Sequence, residues 1–302
     1  MRIFRSPEKS TDPTAVALGF FDGVHLGHRA VIGAAAKCRA EGLCPAVFTF
    51  SSPPRSKKDA EQLTDFDEKL ILFEKLGIER VYALDFEEIK NKTPEEFVIE
   101  IVKGAFNAQK VFCGFNFLFG CRGAGNTRTL KAIGERIGIE IGVVEPVLVD
   151  GEVVSSTRIR SLLREGEIEK ANVLLGHDFG LRAKAVEGRH IGTLMDTPTI
   201  NLEFGKGRAL PKFGVYGSVV TFDGEKYAGV TNIGVRPTVG DNNAPNCETF
   251  IPGYKGGALY GREIDVRLKS FIRPERKFSS LDELKSAIQS DAEKAYQLTV
   301  DS

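Results

Sequence analysis

The stretch Gly19-Phe20-Phe21-Asp22-Gly23-Val24-His25-Leu26-Gly27-His28 is the most informative part of the chain. It follows an apolar run at residues 15–18 and precedes a helical pattern at residues 27–39, so it predicts a strand, a glycine-bearing loop and the start of a helix. A helix N-terminus carries unpaired N–H groups and the positive end of a dipole, and Gly27 lets a phosphate approach the backbone closely. We therefore expect a phosphate site in this turn.

His25 and His28 are the first candidate site residues, and they are two of only four histidines in the chain. As hydrogen-bond donors they can hold a phosphate and stabilise the charge that builds during displacement at phosphorus. One alternative is an ordinary pair of polar loop histidines. Another is a metal pair, for which the sequence offers no third ligand nearby. The position of both rings in one strand-to-helix turn favours phosphate binding.

Composition limits the classes of protein to consider. The 302 residues are enough for two domains, and 42% of them are hydrophobic. The 41 basic and 41 acidic residues cancel, so bulk charge predicts neither a nucleic-acid nor a membrane partner. The first ten residues lack the apolar segment of a signal peptide, and the five cysteines are scattered. We therefore expect a reduced, cytoplasmic protein.

The first half of the chain alternates strand and helix patterns. Apolar, β-rich runs predict strands at residues 15–18, 43–50, 80–86, 110–115 and 140–147, and amphipathic patterns predict helices at residues 27–39, 66–76, 94–106 and 126–137. This alternation is typical of a parallel, doubly wound α/β sheet, in which ligands bind beyond the carboxyl ends of the strands. Residues 19–28 and 114–125 follow such ends.

The second half has a different pattern. Two short helices are expected at residues 157–164 and 167–175, and short strands with turn signals follow from about residue 181, among them a hairpin with an Asp223-Gly224 turn. This spacing predicts a small antiparallel β-barrel. A capping-box pattern at residues 280–283 starts a C-terminal helix. We expect domains at residues 1–180 and 181–302.

Four other polar groups are candidates whose ordinary interpretation is structural. Residues 155–160 (Ser-Ser-Thr-Arg-Ile-Arg) read as a helix cap followed by solvated arginines, and Asn116 as a turn residue between phenylalanines. Thr199 and Asn201 follow a proline, as turn residues commonly do, but at i and i+2 of an extended segment their oxygens face one side and suit Mg²⁺. Glu248 reads as a solvated strand residue, although a carboxylate can also act as a general base.

Several of these segments resemble one known family in order along the chain. Residues 19–28 are similar to the His-x-Gly-His signature of the nucleotidyltransferase superfamily, in the form found in prokaryotic bifunctional riboflavin kinase/FAD synthetases. The further matching segments are residues 114–120 (Gly-Phe-Asn-Phe-Leu-Phe-Gly), 155–160, 198–201 (Pro-Thr-Ile-Asn), 248–249 (Glu-Thr) and 259–261 (Leu-Tyr-Gly). The resemblance implies a Rossmann-like nucleotidyltransferase domain followed by a flavokinase barrel with a terminal helix.

For the first domain, the resemblance implies transfer of an adenylyl group from ATP to FMN, giving FAD and pyrophosphate. His25 and His28 would stabilise the transition state, and Arg158, with Ser155, Ser156 and Thr157, would hold the leaving pyrophosphate. Arg160 is the weaker candidate of the two arginines for this contact. The other residues expected to bind nucleotide in this domain are Gly19, Phe20, Asp22, Gly27 and Asn116.

For the second domain, the resemblance implies phosphorylation of riboflavin by ATP. Glu248 would be the base, Thr199 and Asn201 would hold Mg²⁺, and Pro198 would contact the nucleotide. The expected partners are the small molecules ATP, riboflavin and FMN, without nucleic acid or membrane, and the expected state is a monomer or weak homo-oligomer.

The kinase half departs from the family pattern at three positions. Thr193 replaces a usual basic residue, Asp196 a usual glycine and Phe250 a usual histidine, while in the first domain Phe20 replaces a usual asparagine. A lost cation or an added carboxylate weakens phosphate binding. Two alternatives therefore stay open: an FAD synthetase whose kinase domain is weak or inactive, and a non-catalytic flavin-binding or sensing protein.

Overall fold

The computed structural model describes residues 1–52, 61–186, 199–235, 245–257 and 259–300. They form two compact units, Met1–Ser156 and Thr157–Ser302. The domain boundary expected at residue 180 remains a prediction. Among the described residues, none of the helices combines the length and apolar character needed to cross a membrane.

The first unit is built on a six-stranded sheet in which every neighbouring pair is parallel, as expected. The strands are β1 (Arg2–Phe4), β2 (Thr14–Leu18), β3 (Cys44–Phe50), β4 (Arg80–Leu84), β5 (Ala108–Gly114) and β6 (Glu140–Val144), in the order β1-β4-β3-β2-β5-β6. All five residues of β2 are buried, because helices cover both faces of the sheet at its centre.

The four helices expected in this unit are present, one of them with an irregularity, and a short helix directly after β4 was not predicted. They are α1 (Leu26–Lys37), α2 (Phe66–Lys75), α3 (Phe86–Ile89), α4 (Pro94–Glu96) and α5 (Thr127–Ile137), with 3₁₀ turns at Cys38–Glu41 and Cys121–Gly123. Residues 94–106 were expected to form one α-helix, but α4 continues as a π-helix over Phe97–Ala105, where Phe106 N–H bonds Ile101 C=O at 2.9 Å. A short hairpin, β7 (Leu148–Val149) and β8 (Glu152–Val153), follows β6.

Alternate residues of the central strands pack into two separate cores, which makes the sheet doubly wound. Ala15 and Ala17 of β2 pack with Ile32 of α1 and Phe73 of α2 on one face. On the other face, Val16, Leu18 and Phe48 are among the sheet residues that pack with the 97–106 helix and with α5.

The second unit begins with two helices, α6 (Ser156–Glu165, starting at the last residue of the first unit) and α7 (Ile168–Leu175). Its sheet is antiparallel, in the order β10-β13-β12-β11-β14-β9, with the strands β9 (Gly180–Lys184), β10 (Thr199–Glu203), β11 (Gly214–Phe222), β12 (Glu225–Val235), β13 (Pro245–Phe250) and β14 (Glu263–Arg273). Val186, just past β9, bridges to Asn201 of β10, where its N–H donates to the Asn201 carbonyl at 2.9 Å. The first and last strands of the sheet order therefore meet, which confirms the barrel.

The C-terminal helix α8 (Leu281–Val300) lies on the outside of this barrel. Its Ala295 is fully buried against Val215 and Val230, with Phe250 packed beside them. Arg273 of β14 donates to both carboxylate oxygens of the buried Asp291 at 2.8–3.3 Å, which fixes the helix to the strand. The expected capping box is only half formed, because Ser280 caps the Glu283 N–H whereas Glu283 accepts from Ser279 N–H instead of Ser280 N–H.

Candidate functional site

The loop after β2 has an unusual backbone. Phe21 (φ 55°), Gly23 (φ 83°) and Val24 (φ 41°) all lie in the left-handed region, which costs roughly 1–3 kcal/mol for each non-glycine residue. The buried Phe21 ring fills the space beside Gly19, where a Cβ atom would come within 2.8 Å of the ring. Gly19 is therefore needed for packing, and its expected contact with nucleotide remains a prediction. Such a loop persists only where its neighbours hold it.

His25 and His28 come together at the start of α1. His25 is the N-cap residue, and its Nδ1 accepts a hydrogen bond from the His28 N–H at 3.3 Å. The two rings stack with centroids 3.6 Å apart and planes 18° apart. Because Nδ1 of His25 is an acceptor, the proton of its neutral ring is on Nε2, so that atom is a donor. A Cβ at Gly27 would lie 3.2 Å from the His25 ring, so glycine leaves the room that the ring occupies.

Asp22 is 4% exposed, and its carboxylate binds the backbone. Its Oδ1 accepts from Leu63 N–H at 2.8 Å and from Thr64 N–H at 3.4 Å. The Thr64 hydroxyl in turn accepts from Gly23 N–H at 3.0 Å. These three bonds tie the loop to the segment that leads into α2, so the structure gives Asp22 a role in shaping the loop, and its expected nucleotide contact remains a prediction.

Ser156 is the first residue of α6, and its hydroxyl donates to the Asp22 carbonyl at 3.0 Å. The structure thus brings one residue of the 155–160 segment to the histidine loop. Ser155 precedes the helix. Thr157, Arg158 and Arg160 lie in the opening turns of α6, around the fully buried Ile159, and belong to the second unit. The two arginines are two positions apart, so they do not share a face of the helix.

Asn116 is exposed in the loop that follows β5. Because β5 pairs with β2 in parallel, this loop and the histidine loop lie at the same edge of the sheet. Phe117 and Phe119 stack at 5.6 Å, and Phe119 bridges to Gly125, which closes the loop. Leu118 of the same loop is 64% exposed.

Lys69 of α2 is a residue that the sequence analysis missed. It is 2% exposed, its ammonium donates to the Phe20 carbonyl at 3.2 Å, and it lies 4.0 Å from the centroid of the Phe20 ring. Burial lowers the pKa of Lys69 to about 8, and the carboxylates of Asp22 and Asp65 act in the opposite direction. The signal was available, because Lys69 occupies the helical position between Phe66 and Phe73, where a core residue is expected.

In the second unit, the strand register brings the kinase candidates together. Asn201 of β10 and Asn232 of β12 both lie directly opposite Glu248 of β13, and Thr199 lies opposite Phe250. Residues directly opposite on antiparallel strands share a face, so Thr199, Asn201 and Glu248 lie on one side of the sheet. Asn201 is 2% exposed and accepts from the Asn246 amide at 3.3 Å. Pro198, Thr193 and Asp196 lie outside the described residues.

This face of the barrel has oxygen atoms of the kind that bind Mg²⁺. The hydroxyl of Thr199, the amide oxygen of Asn201 and the carboxylate of Glu248 are hard oxygen ligands. Within the described ranges, no three His, Cys, Asp or Glu side chains are grouped closely enough to hold a metal ion by themselves. A few protein oxygens completed by substrate phosphates are the usual arrangement for Mg²⁺ in phosphoryl transfer.

Asn232 and Glu275 are two further residues that the sequence patterns did not single out. The Asn232 amide donates to Glu275 Oε1 at 3.1 Å, so this side chain links β12 to the segment after β14. Its place opposite Glu248 depends on a register between strands, which short-range sequence patterns do not report.

Comparisons with known proteins cover nearly the whole chain. The family model described as FAD synthetase matches residues 7–158, and the one described as riboflavin kinase matches residues 175–299. A solved structure described as a macrolide-efflux protein from Streptococcus pneumoniae is 28% identical, with a TM-score of 0.86 and 98% of each chain covered.

Curated relatives agree with the family models. A bifunctional riboflavin kinase/FMN adenylyltransferase of Bacillus subtilis is 33% identical over 93% of this chain and 91% of its own. The protein of that description from Escherichia coli K12 is 32% identical over 91% of this chain and 90% of its own. The chain belongs to the family of bifunctional riboflavin kinases/FMN adenylyltransferases.

Proposed function

We propose that the chain is a transferase that catalyses two successive reactions on the flavin, one in each of the domains predicted at residues 1–180 and 181–302. The second domain phosphorylates riboflavin with ATP to give FMN, and the first domain adenylylates FMN to give FAD and pyrophosphate. The observation that carries the proposal is the stacked pair His25 and His28 at the N-terminus of α1, because it is a donor site for a phosphate undergoing displacement.

In the adenylyl transfer, a phosphate oxygen of FMN attacks the α-phosphorus of ATP, and the bond to the pyrophosphate breaks. Nε2–H of His25 donates to the phosphoryl oxygens, where negative charge increases in the transition state. His28 adds a second imidazole on the same side. Arg158 holds the pyrophosphate together with the hydroxyls of Ser155 and Thr157 and the backbone N–H groups of residues 155–157, while the Ser156 hydroxyl donates to the Asp22 carbonyl. No covalent enzyme intermediate is needed, since FMN is itself the nucleophile, so catalysis consists of positioning and electrostatics.

In the kinase reaction, the primary hydroxyl of riboflavin attacks the γ-phosphorus of ATP, and ADP leaves. Glu248 orients that hydroxyl and accepts its proton. Thr199 and Asn201 would hold Mg²⁺, which neutralises charge on the ATP phosphates when it is bound. The register that places Asn201 opposite Glu248 supports this assignment, because it puts the metal ligands and the base on adjacent strands.

The two alternatives raised by the sequence are not favoured. The riboflavin kinase model spans residues 175–299, and relatives of bifunctional description match over nine-tenths of the chain. We further propose that Mg²⁺ is the metal, that the protein acts on small molecules alone as a monomer or weak homo-oligomer, and that it works in the cytoplasm, where its five free cysteines stay reduced.

The test is incubation of the pure protein with riboflavin, ATP and Mg²⁺, with separation of the flavins over time. FMN that appears first and FAD that follows support the proposal. FAD formed from supplied FMN, with none from riboflavin, would limit the protein to adenylyl transfer. Flavin binding without turnover of either substrate would contradict both assigned reactions.

A further inference from the structure

Lys69 has a contact with the histidine loop that the proposed chemistry does not explain. Its ammonium group is buried in the first unit, donates to the Phe20 carbonyl at 3.2 Å and lies 4.0 Å from the centroid of the Phe20 ring. A lysine is rarely buried to this degree without a carboxylate salt bridge. Here the ammonium group contacts a carbonyl oxygen and an aromatic face, both supplied by Phe20 of the loop.

The lysine is not required to satisfy that carbonyl. The hydroxyl of Thr49, on β3, also donates to the Phe20 oxygen at 3.0 Å. Replacing Lys69 by an apolar side chain would therefore leave the carbonyl hydrogen-bonded. What the replacement would remove is the positive charge that holds both the carbonyl and the ring of Phe20.

Three sets of contacts restrain a loop with two non-glycine residues, Phe21 and Val24, at positive φ. Asp22 binds the backbone of residues 63 and 64, Gly23 N–H binds Thr64, and Phe20 is held by Thr49 and Lys69. The first two sets act in the middle of the loop. The contacts to Phe20 act where β2 ends, and so fix the direction in which the chain leaves the sheet toward His25.

We propose that Lys69 is a positioning residue for adenylyl transfer: its charged side chain fixes Phe20 and thereby holds residues 19–25 in the conformation that presents His25 and His28 to the phosphates. This inference rests on the proposed adenylyltransferase activity. The ring of Phe20 gives the ammonium group an aromatic face beside the carbonyl that it binds.

The charge state of Lys69 provides a signature that ordinary packing would not give. Burial lowers its pKa to about 8, and the charged groups acting on it are Asp22 from the loop and Asp65 at the N-cap of α2. As the pH rises through this value, the ammonium loses its proton and its hold on Phe20 weakens. The kcat/KM for FAD formation, which reports the free enzyme, should therefore fall above about pH 8.

The experiment compares the full-length protein with Lys69→Met, Lys69→Arg and the control Lys75→Met, whose lysine is exposed in the last turn of α2. FAD formation from FMN and FMN formation from riboflavin are measured from pH 6.5 to 9.5, together with thermal melting. We expect Lys69→Met to lower kcat for FAD formation by roughly 10- to 100-fold, because small misplacements of catalytic groups have effects of this size. The KM for ATP, the rate of FMN formation and the melting temperature at pH 7 should change little.

Lys69→Arg should restore most of the FAD-forming rate, and this rate should persist at pH values above 8, because arginine stays charged. If Lys69→Arg does not fold, the unmodified protein tests whether the charge of Lys69 matters. Its kcat/KM for FAD formation should fall at alkaline pH, and FMN formation should not show this fall. A Lys69→Met protein that melts normally and retains its FAD-forming kcat would overturn the inference and leave the proposed function intact. An unmodified protein that makes no FAD from FMN would instead refute the proposed function itself.

Discussion

Asn201 lies directly opposite Glu248 in the register of β10 and β13, although the two residues are 47 positions apart in the chain. The pair places an amide oxygen, which can bind a metal ion, and a carboxylate on the same face of adjacent strands. Asn232 of β12 flanks Glu248 on its other side. The kinase chemistry proposed for the second unit depends on this relationship.

Glu248→Gln should abolish FMN formation from riboflavin, with a loss of at least about 100-fold, because the amide does not accept the proton of the flavin hydroxyl. FAD formation from supplied FMN should continue at the normal rate. The matched control is Glu203→Gln, an exposed glutamate on β10 opposite Asn246. If flavin analysis shows normal FMN formation by Glu248→Gln, the carboxylate is not the base.

Thr199→Ala should raise the Mg²⁺ concentration needed for half-maximal FMN formation, because one proposed oxygen ligand is lost. A Mg²⁺ titration of the two activities separates this effect from general damage, since the requirement for FAD formation should not move. Removal of the metal with a chelator should stop FMN formation and restoring Mg²⁺ should recover it. An unchanged titration curve would place the metal elsewhere.

His28→Ala should remove FAD formation and leave FMN formation largely intact. His25→Ala should do the same and also lower stability by about 1 kcal/mol, because Nδ1 of His25 caps α1. His25→Asn retains a capping oxygen, so it should recover the stability and not the activity. Equal denaturation midpoints for His25→Ala and His25→Asn would contradict the capping role.

Gly19→Ala should destabilise the first unit by roughly 1–3 kcal/mol, because the new methyl group would overlap the buried Phe21 ring. Gly33, inside α1, provides the control, since a Cβ there meets no atom within 4 Å. Gly33→Ala should be neutral or stabilise by up to about 1 kcal/mol. Urea denaturation of both variants measures the difference, and a harmless Gly19→Ala would mean that the ring is free to move.

The stability of the unmodified protein relative to Lys69→Met should depend on pH. The pKa of Lys69 is about 8 in the folded protein against 10.5 for an ordinary lysine, so between these values the unfolded chain binds the proton and the folded one does not. Stability rises with pH wherever the unfolded state binds more protons. From pH 8 to 10.5, the unfolding free energy of the unmodified protein should therefore increase relative to that of Lys69→Met, by at most about 3 kcal/mol. A difference that does not change over this range would place the ammonium in solvent.

Local patterns predicted much of the fold. Apolar runs located β2 to β6, and the Asp223-Gly224 turn, whose residues both have positive φ, located the hairpin of β11 and β12. The short strand β1 escaped notice because it has only three residues and its Ile3 is 42% exposed, so no apolar run marks it. The π-helical stretch at Phe97–Ala105 has the same amphipathic pattern as an α-helix, so sequence periodicity did not distinguish them.

The site was predicted less completely, for a physical reason. His25 and His28 are only three positions apart, so one sequence motif contains them both. Lys69, Asn232 and the bonds of Asp22 depend on contacts between residues far apart in the chain, which only the folded backbone brings together.

The assignment of the two reactions to separate sites is tested by supplying riboflavin, ATP and Mg²⁺ to His28→Ala, to Glu248→Gln and to a mixture of the two. Two independent sites predict FMN alone from His28→Ala, neither product from Glu248→Gln, and FAD from the mixture, because FMN made by one protein is adenylylated by the other. If each folded variant lacks both activities and the mixture makes no FAD, the two reactions do not occur at the separate sites assigned here.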